Sequence, residues 1–154
     1  MSLIKKENIY ELISKYKNNG LKIVFTNGCF DLLHTGHLDL LKRASELGDK
    51  LIVGLNSDSS VKKLKGSSRP IEDEVFRSNN LLDKVFVDDV VIFNDLTPKK
   101  LITQIIPDVL VKGGDYKKED IVGYSEVTKN GGVVKIIPLT PGFSTTAIIN
   151  KSHR

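Results

Sequence analysis

Short apolar runs rich in β-branched and aromatic residues alternate with helical stretches along this chain, and that alternation restricts the fold more than any other feature. Leu21-Lys22-Ile23-Val24-Phe25-Thr26, Lys50 to Leu55, Val87 to Phe93, Asp108-Val109-Leu110-Val111-Lys112 and Val133 to Pro138 read as strands. Residues 37–47, 58–64, 73–84, 97–106 and, less regularly, 118–130 read as helices, and Ser144-Thr145-Thr146 is expected to open a last one. Residues 2–18 read as an amphipathic helix, because Ile9, Leu12, Ile13 and Tyr16 fall on one stripe. Val75, Leu81 and Leu82 are the expected buried positions of 73–84, and Thr97-Pro98 the expected start of the helix that follows. Near-continuous apolar strands suit a parallel sheet buried on both sides. The expected fold is α/β: a Rossmann-like parallel sheet of about five strands with helices on both faces. Residues 1–154 are expected to form a single domain, with an N-terminal helix over 1–20 and the core over 21–150.

Composition narrows the setting. Hydrophobic residues make up 40% and charged residues 27% of the 154, as in a globular protein. No apolar run approaches the ~20 residues that span a bilayer, and Met-Ser-Leu-Ile-Lys-Lys-Glu lacks the features of a signal peptide. With one cysteine and no membrane segment, a cytoplasmic location is expected. The net charge of +4 suits a polyanionic ligand, yet Lys and Arg are scattered, Trp is absent and aromatics are only 6%. That pattern argues against nucleic acid. Lys62-Lys63-Leu64-Lys65 followed by Arg69 is either a solvated helix end or a small phosphate-binding patch.

Ligands of open α/β sheets sit at the carboxyl ends of the strands, so the loops there carry the chemistry. The first runs Asn27-Gly28-Cys29-Phe30-Asp31-Leu32-Leu33-His34-Thr35-Gly36-His37. Its glycines let the backbone approach phosphate, and a helix N-terminus follows. His34 and His37 could both donate hydrogen bonds to phosphate as charge builds up in a transition state. A dinucleotide fingerprint is excluded, since G-x-G-x-x-G is absent. Zinc on Cys29, His34 and His37 lacks a clear fourth ligand, and a purely structural pair is the other alternative. After the second strand, Asp58 could bind a ribose or cap a helix. Lys65, beside Gly66, could close over phosphates. Lys112-Gly113-Gly114-Asp115-Tyr116 could admit a flat base, with Asp115 accepting from ribose or base. Pro141-Gly142-Phe143-Ser144-Thr145-Thr146 offers three hydroxyls at a helix start, suited to capping or to phosphate.

The first of these loops, taken with Gly142-Phe143-Ser144-Thr145-Thr146, resembles the cytidylyltransferase-like nucleotidylyltransferase superfamily: it matches the G-x-F-D-x-x-H-x-G-H signature, and the late loop matches a second one. Arg77 also falls where that family places an arginine. Within it, Leu64-Lys65-Gly66-Ser67-Ser68-Arg69-Pro70 and Pro107 to Tyr116 look most like the D-glycero-β-D-manno-heptose 1-phosphate adenylyltransferase branch, that is, ADP-heptose synthase of lipopolysaccharide or related glycan assembly. Leu139 stands where glycerol-phosphate relatives carry an arginine, and Leu96 replaces an acidic residue usual in the heptose branch.

The resemblance implies direct attack of a sugar 1-phosphate on the α-phosphorus of a nucleoside triphosphate (NTP), with ATP expected. His34, His37 and Lys65 would be catalytic. Asn27, Gly28, Cys29, Phe30, Asp31, Gly36, Gly113, Gly114, Asp115, Gly142, Phe143, Ser144, Thr145 and Thr146 would bind the nucleotide. Asp58, Arg69, Arg77 and Lys112 would meet substrate phosphate or support the site. Mg²⁺ would ride on the nucleotide phosphates with no direct protein ligand. A homodimer and a separate sugar kinase supplying the acceptor are implied by the same resemblance. A cytidylyltransferase for a polyol or other sugar phosphate and a non-catalytic nucleotide-binding module are the alternatives.

Overall fold

The computed structural model describes residues 2–138, so Leu139, Gly142, Phe143, Ser144, Thr145, Thr146 and the expected last helix lie outside the described residues. Six strands form one sheet in the order β1-β4-β3-β2-β5-β6, and every neighbouring pair is parallel. They are β1 (Ser2–Ile4), β2 (Ile23–Gly28), β3 (Lys50–Asn56), β4 (Asp89–Phe93), β5 (Val109–Gly113) and β6 (Val133–Ile137). The helices are α1 (Ile9–Asn18), α2 (Thr35–Ser45), α3 (Asp58–Lys65), α4 (Glu74–Leu82), α5 (Lys99–Ile105) and α6 (Tyr124–Lys129).

Alternate residues of each strand feed two cores. Ile23, Phe25, Ile52 and Leu110 pack with Ile9, Ile13 and Tyr16 of α1, Leu101, Ile102 and Ile105 of α5 and Val127 of α6. Val24, Leu51, Val53 and Val111 pack with Leu40, Leu41 and Ala44 of α2 and Leu81 of α4. This is the period-two geometry of a strand covered on both faces.

The structure corrects the sequence reading at the N-terminus. Residues 2–18 are not one helix: Ser2–Ile4 is a sixth strand, Lys6–Asn8 a 3-10 turn, and the helix begins at Ile9. Long-range bonds make the edge strand. Ser2 N donates to Asp88 O at 2.9 Å, and Ser2 Oγ donates to Asp89 Oδ1 at 2.6 Å. The hydroxyl of Tyr16 donates to the other oxygen of the buried Asp89, so α1 and β1 are tied through one carboxylate. No three-residue pattern could signal that.

Two smaller differences have equally local causes. The stretch 118–130 divides into a 3-10 turn at Lys118–Asp120 and α6, because Gly123 adopts φ 93° and lies so close to α5 that a Cβ there would come 2.8 Å from Ile102. In α4, Val75 is exposed and Arg77 is buried in its stead. Thr97-Pro98 does not cap α5 through a side chain; the helix starts at Lys99.

Tyr16→Phe is expected to cost about 1–3 kcal/mol by leaving a buried carboxylate oxygen without its donor, read as a lower urea midpoint and faster amide exchange in β1.

Candidate active site

The sheet changes direction between β2 and β5: β3 and β4 lie to one side of β2, β5 and β6 to the other. The paired register of β2 with β5 holds Val24↔Val109 and Phe25↔Leu110. Just beyond, the buried Thr26 Oγ1 donates to Val111 O at 2.9 Å. Beyond these pairs, residues at the ends of β2 and β5 line a cleft at the switch point.

The cleft has two lobes. The smaller, about 280 Å³, is lined by Asn27, Gly28, Cys29, Phe30, His37, Leu40, Lys65, Lys112 and Gly113. The larger, about 530 Å³, shares Asn27, Gly28, Cys29, Lys65 and Lys112 with it and extends to Asn56, Thr97, Tyr116 and Asp120. Eight of the positions expected from sequence thus meet in one lobe: the five shared residues with Phe30, His37 and Gly113.

The loop between β2 and α2 is wound tightly. Phe30 and Leu32 hold φ of 47° and 58°, a left-handed conformation that side chains rarely adopt. Gly28 makes this possible, since a Cβ there would sit 3.0 Å from the Phe30 ring. Phe30 then meets His37 edge-on with centroids 5.5 Å apart, and His37 stacks on His34 at 3.8 Å.

His34 is the N-cap of α2. Its Nδ1 accepts from Gly36 N at 3.1 Å and His37 N at 3.4 Å, while His37 Nδ1 accepts from His34 N at 3.4 Å. Two consequences follow. The Gly36 and His37 N–H groups serve the cap, so the phosphate-binding amides expected at this helix start are engaged within the turn. Because each Nδ1 accepts, each imidazole carries its proton on Nε2 and is a donor there. Burial, with His34 and Lys65 nearby, pushes His37 down to about 4, and burial also lowers His34. Both rings are therefore neutral donors near pH 7.

Asp31, expected among the nucleotide contacts, is buried and lines neither lobe. It accepts from Arg69 Nε at 3.0 Å, Ile71 N at 2.8 Å and Glu72 N at 2.9 Å. Burial alone would raise its pKa; those three donors outweigh burial and hold the carboxyl below its ordinary range. Arg69 is accordingly an internal partner of Asp31 and no part of the cleft wall. Glu72, not singled out from sequence, closes the loop by accepting from Leu32 N at 2.9 Å.

Arg77 and Asp58 also turn inward. The Arg77 side chain is fully buried and donates from Nη1 to Cys29 O at 2.8 Å and Asn56 O at 2.7 Å, from Nη2 to Asp58 Oδ1 at 2.8 Å, and from Nε to Glu72 O at 2.9 Å. Ser57, not Asp58, caps α3. Gly36, Gly114 and Asp115 line neither lobe, and Lys65 closes α3 as its last residue. Burial lowers Lys112, and burial raises the Cys29 thiol against the opposing pull of Lys65, Arg77 and Arg69. Among the described residues no three His, Cys, Asp or Glu side chains gather to hold a metal ion. Leu96 lies in the wall of the larger lobe.

Arg77→Met is expected to cost about 3 kcal/mol or more, because three carbonyls and a carboxylate lose their donor; chemical denaturation measures it. The His37 shift has a signed consequence. Its folded value of about 4 lies below the ordinary 6.5, so the unfolded chain binds more protons between those values. The stability advantage of the native protein over His37→Gln should be constant above pH ~6.5 and shrink as pH falls toward ~4. Urea midpoints across that range test the sign.

Comparison with known proteins agrees with this geometry. The cytidylyltransferase-like family pattern matches residues 25–151. "Bifunctional protein HldE" of Koribacter versatilis is 50% identical over 151 residues, 98% of this chain and 31% of that protein. The protein of the same name from Haemophilus ducreyi is 51% identical over 149 residues, 97% and 31% respectively. The chain thus spans about a third of the length of these relatives. The solved lipopolysaccharide core biosynthesis protein from Thermoplasma volcanium superposes with a TM-score of 0.64 at 29% identity, covering 79% of this chain and 98% of that one. Pantothenate synthetase from Thermus thermophilus shares the fold, with a TM-score of 0.60 at 15% identity over 90% of this chain and 62% of that one. With the family pattern running from β2 past β6 and the strand-end loops built as a cleft, the chain belongs to the cytidylyltransferase-like family and is a nucleotidyltransferase.

Proposed function

We propose that this chain transfers AMP from ATP to D-glycero-β-D-manno-heptose 1-phosphate, releasing pyrophosphate and ADP-heptose for lipopolysaccharide or a related glycan. The observation that carries this reading is half-identity over nearly the whole chain to proteins called bifunctional HldE. The likeness to the lipopolysaccharide core biosynthesis protein from Thermoplasma volcanium and a cleft walled by two lysines support it.

In this reading an oxygen of the acceptor phosphate attacks the α-phosphorus. The bond from that phosphorus to the bridging oxygen breaks, and pyrophosphate leaves with the electron pair. The nucleophile is already an anion, so no general base is required, and the protein's work is positioning and charge stabilisation. His37, backed by His34, donates from Nε2 to phosphate oxygens. Lys65 and Lys112 neutralise charge where the lobes meet. Gly113, in the wall of the smaller lobe, meets the nucleotide, and Gly142, Phe143, Ser144, Thr145 and Thr146 take the β and γ phosphates. Mg²⁺ would enter with ATP. It would be carried by phosphate oxygens and water. A sugar kinase, separate or joined, supplies the acceptor, and the working form is a cytoplasmic homodimer.

Loss of one such donor costs about 10²–10³ in kcat, so His37→Ala should fall by at least about a hundredfold with an unchanged circular dichroism spectrum. Pyrophosphate release with heptose 1-phosphate should be fastest with ATP among the four NTPs. Preference for CTP would redirect the reading to a cytidylyltransferase, and silence with every NTP and acceptor would make the chain a binding module.

A further inference from the structure

The two lobes meet at a waist bearing two cations, and only the smaller contains a histidine. In-line displacement places the attacking and leaving oxygens on opposite sides of the phosphorus. A phosphorus held at Lys65 and Lys112 therefore needs room for both partners, and those two lysines line both lobes. With the nucleotide phosphates against His37, the larger lobe is left for the rest of the acceptor.

Its lining has the character of a sugar site. Tyr116 is 52% exposed, enough for its ring to offer a face to a ligand. That ring is held from behind: Gly114 has φ 127°, and a Cβ on it would come 2.7 Å from the ring, so only glycine lets Tyr116 lie there. Lys112 Nζ sits 5.6 Å from the ring centroid, coupling the aromatic platform to a waist cation. Leu64, Leu96 and Val122 extend the apolar wall, and Asp120 is the one carboxylate lining the lobe among the described residues. A sugar ring has an apolar C–H face and a hydroxyl edge, which such a mixed wall can meet. An ionised carboxylate only accepts hydrogen bonds, so it takes hydroxyls and repels a second anionic group.

We propose that the larger lobe is the acceptor chamber, with Tyr116 as the platform for the sugar ring and Asp120 as the residue that selects hydroxylated, singly phosphorylated sugars. This rests on the transfer reading above and assigns its specificity to two residues to which that reading gives no role.

The chain has no tryptophan, so Tyr116→Trp places a sole indole in the lobe. Its emission should change saturably with heptose 1-phosphate or mannose 1-phosphate and stay unmoved by the α,β-methylene analogue of ATP. Tyr116→Ala and Asp120→Ala should each raise the KM for the sugar phosphate about tenfold, the scale of one lost hydrogen bond or ring contact, with the KM for ATP within about twofold. Asp120→Asn should also narrow the discrimination against a sugar bisphosphate. A silent indole in a protein that turns over, or a KM for ATP rising in step with that for the sugar, overturns the assignment. If the wild type releases no pyrophosphate while the indole still responds to sugar 1-phosphate, the chamber stands and the transfer reading falls. If both are silent, both fall.

Discussion

The cleft exists because one buried guanidinium ties the ends of two strands to the start of α3 and to the loop ahead of α4. Arg77 reaches from α4 to the carbonyls of Cys29, Asn56 and Glu72 and to the carboxylate of Asp58. Cys29 follows β2, Asn56 ends β3, and Asp58 opens α3. Backbone carbonyls at strand ends have no ladder partner and would otherwise need water. A fully buried arginine satisfies them in one geometry, because its donors form a rigid planar fork. Lysine offers the same charge without that fork.

The motif loop treats its own polar groups in the same way. Asp31 is consumed by Arg69, Ile71 and Glu72, and His34 by the amides of α2. These bonds hold two left-handed residues in a conformation the isolated loop would not favour. What remains for a ligand is a short set of side chains: the neutral His37 imidazole, the two lysines at the waist, and the walls of the larger lobe. An active site whose scaffold polar groups are satisfied internally can present its remaining donors without reorganising.

Much of this architecture was legible beforehand. Five of the six strands follow from apolar runs, since a strand buried on both faces needs β-branched and aromatic residues throughout. The loop carrying His37 was legible because glycine at a strand-to-helix turn has few other uses. The sixth strand was not, because Ser2–Ile4 is held by Asp88 and Asp89, nearly ninety residues away. Nor could spacing separate Asp31, Asp58, Arg69 and Arg77, which build the cleft, from Lys65 and Lys112, which line it. Charge and position look alike in both groups; what distinguishes them is that the first four are paired with one another inside the fold and the two lysines line the cleft. Asp120 escaped notice for the converse reason, since it belongs to no motif and gains meaning only by lining the lobe that Lys65 and Lys112 also line, while Thr97 and Tyr116 were read only as a helix start and a loop end.

The sequence by itself determined the alternating α/β order, the two-faced core and the family, because periodicity and a contiguous motif are local properties of the chain. Tertiary structure alone decided which charged residues became scaffold and which became site. That choice depends on desolvation: a charge buried among strand-end carbonyls must satisfy them, and a charge left at the switch point is available to a phosphate. Desolvation is set by residues distant in sequence, so no local pattern could carry it.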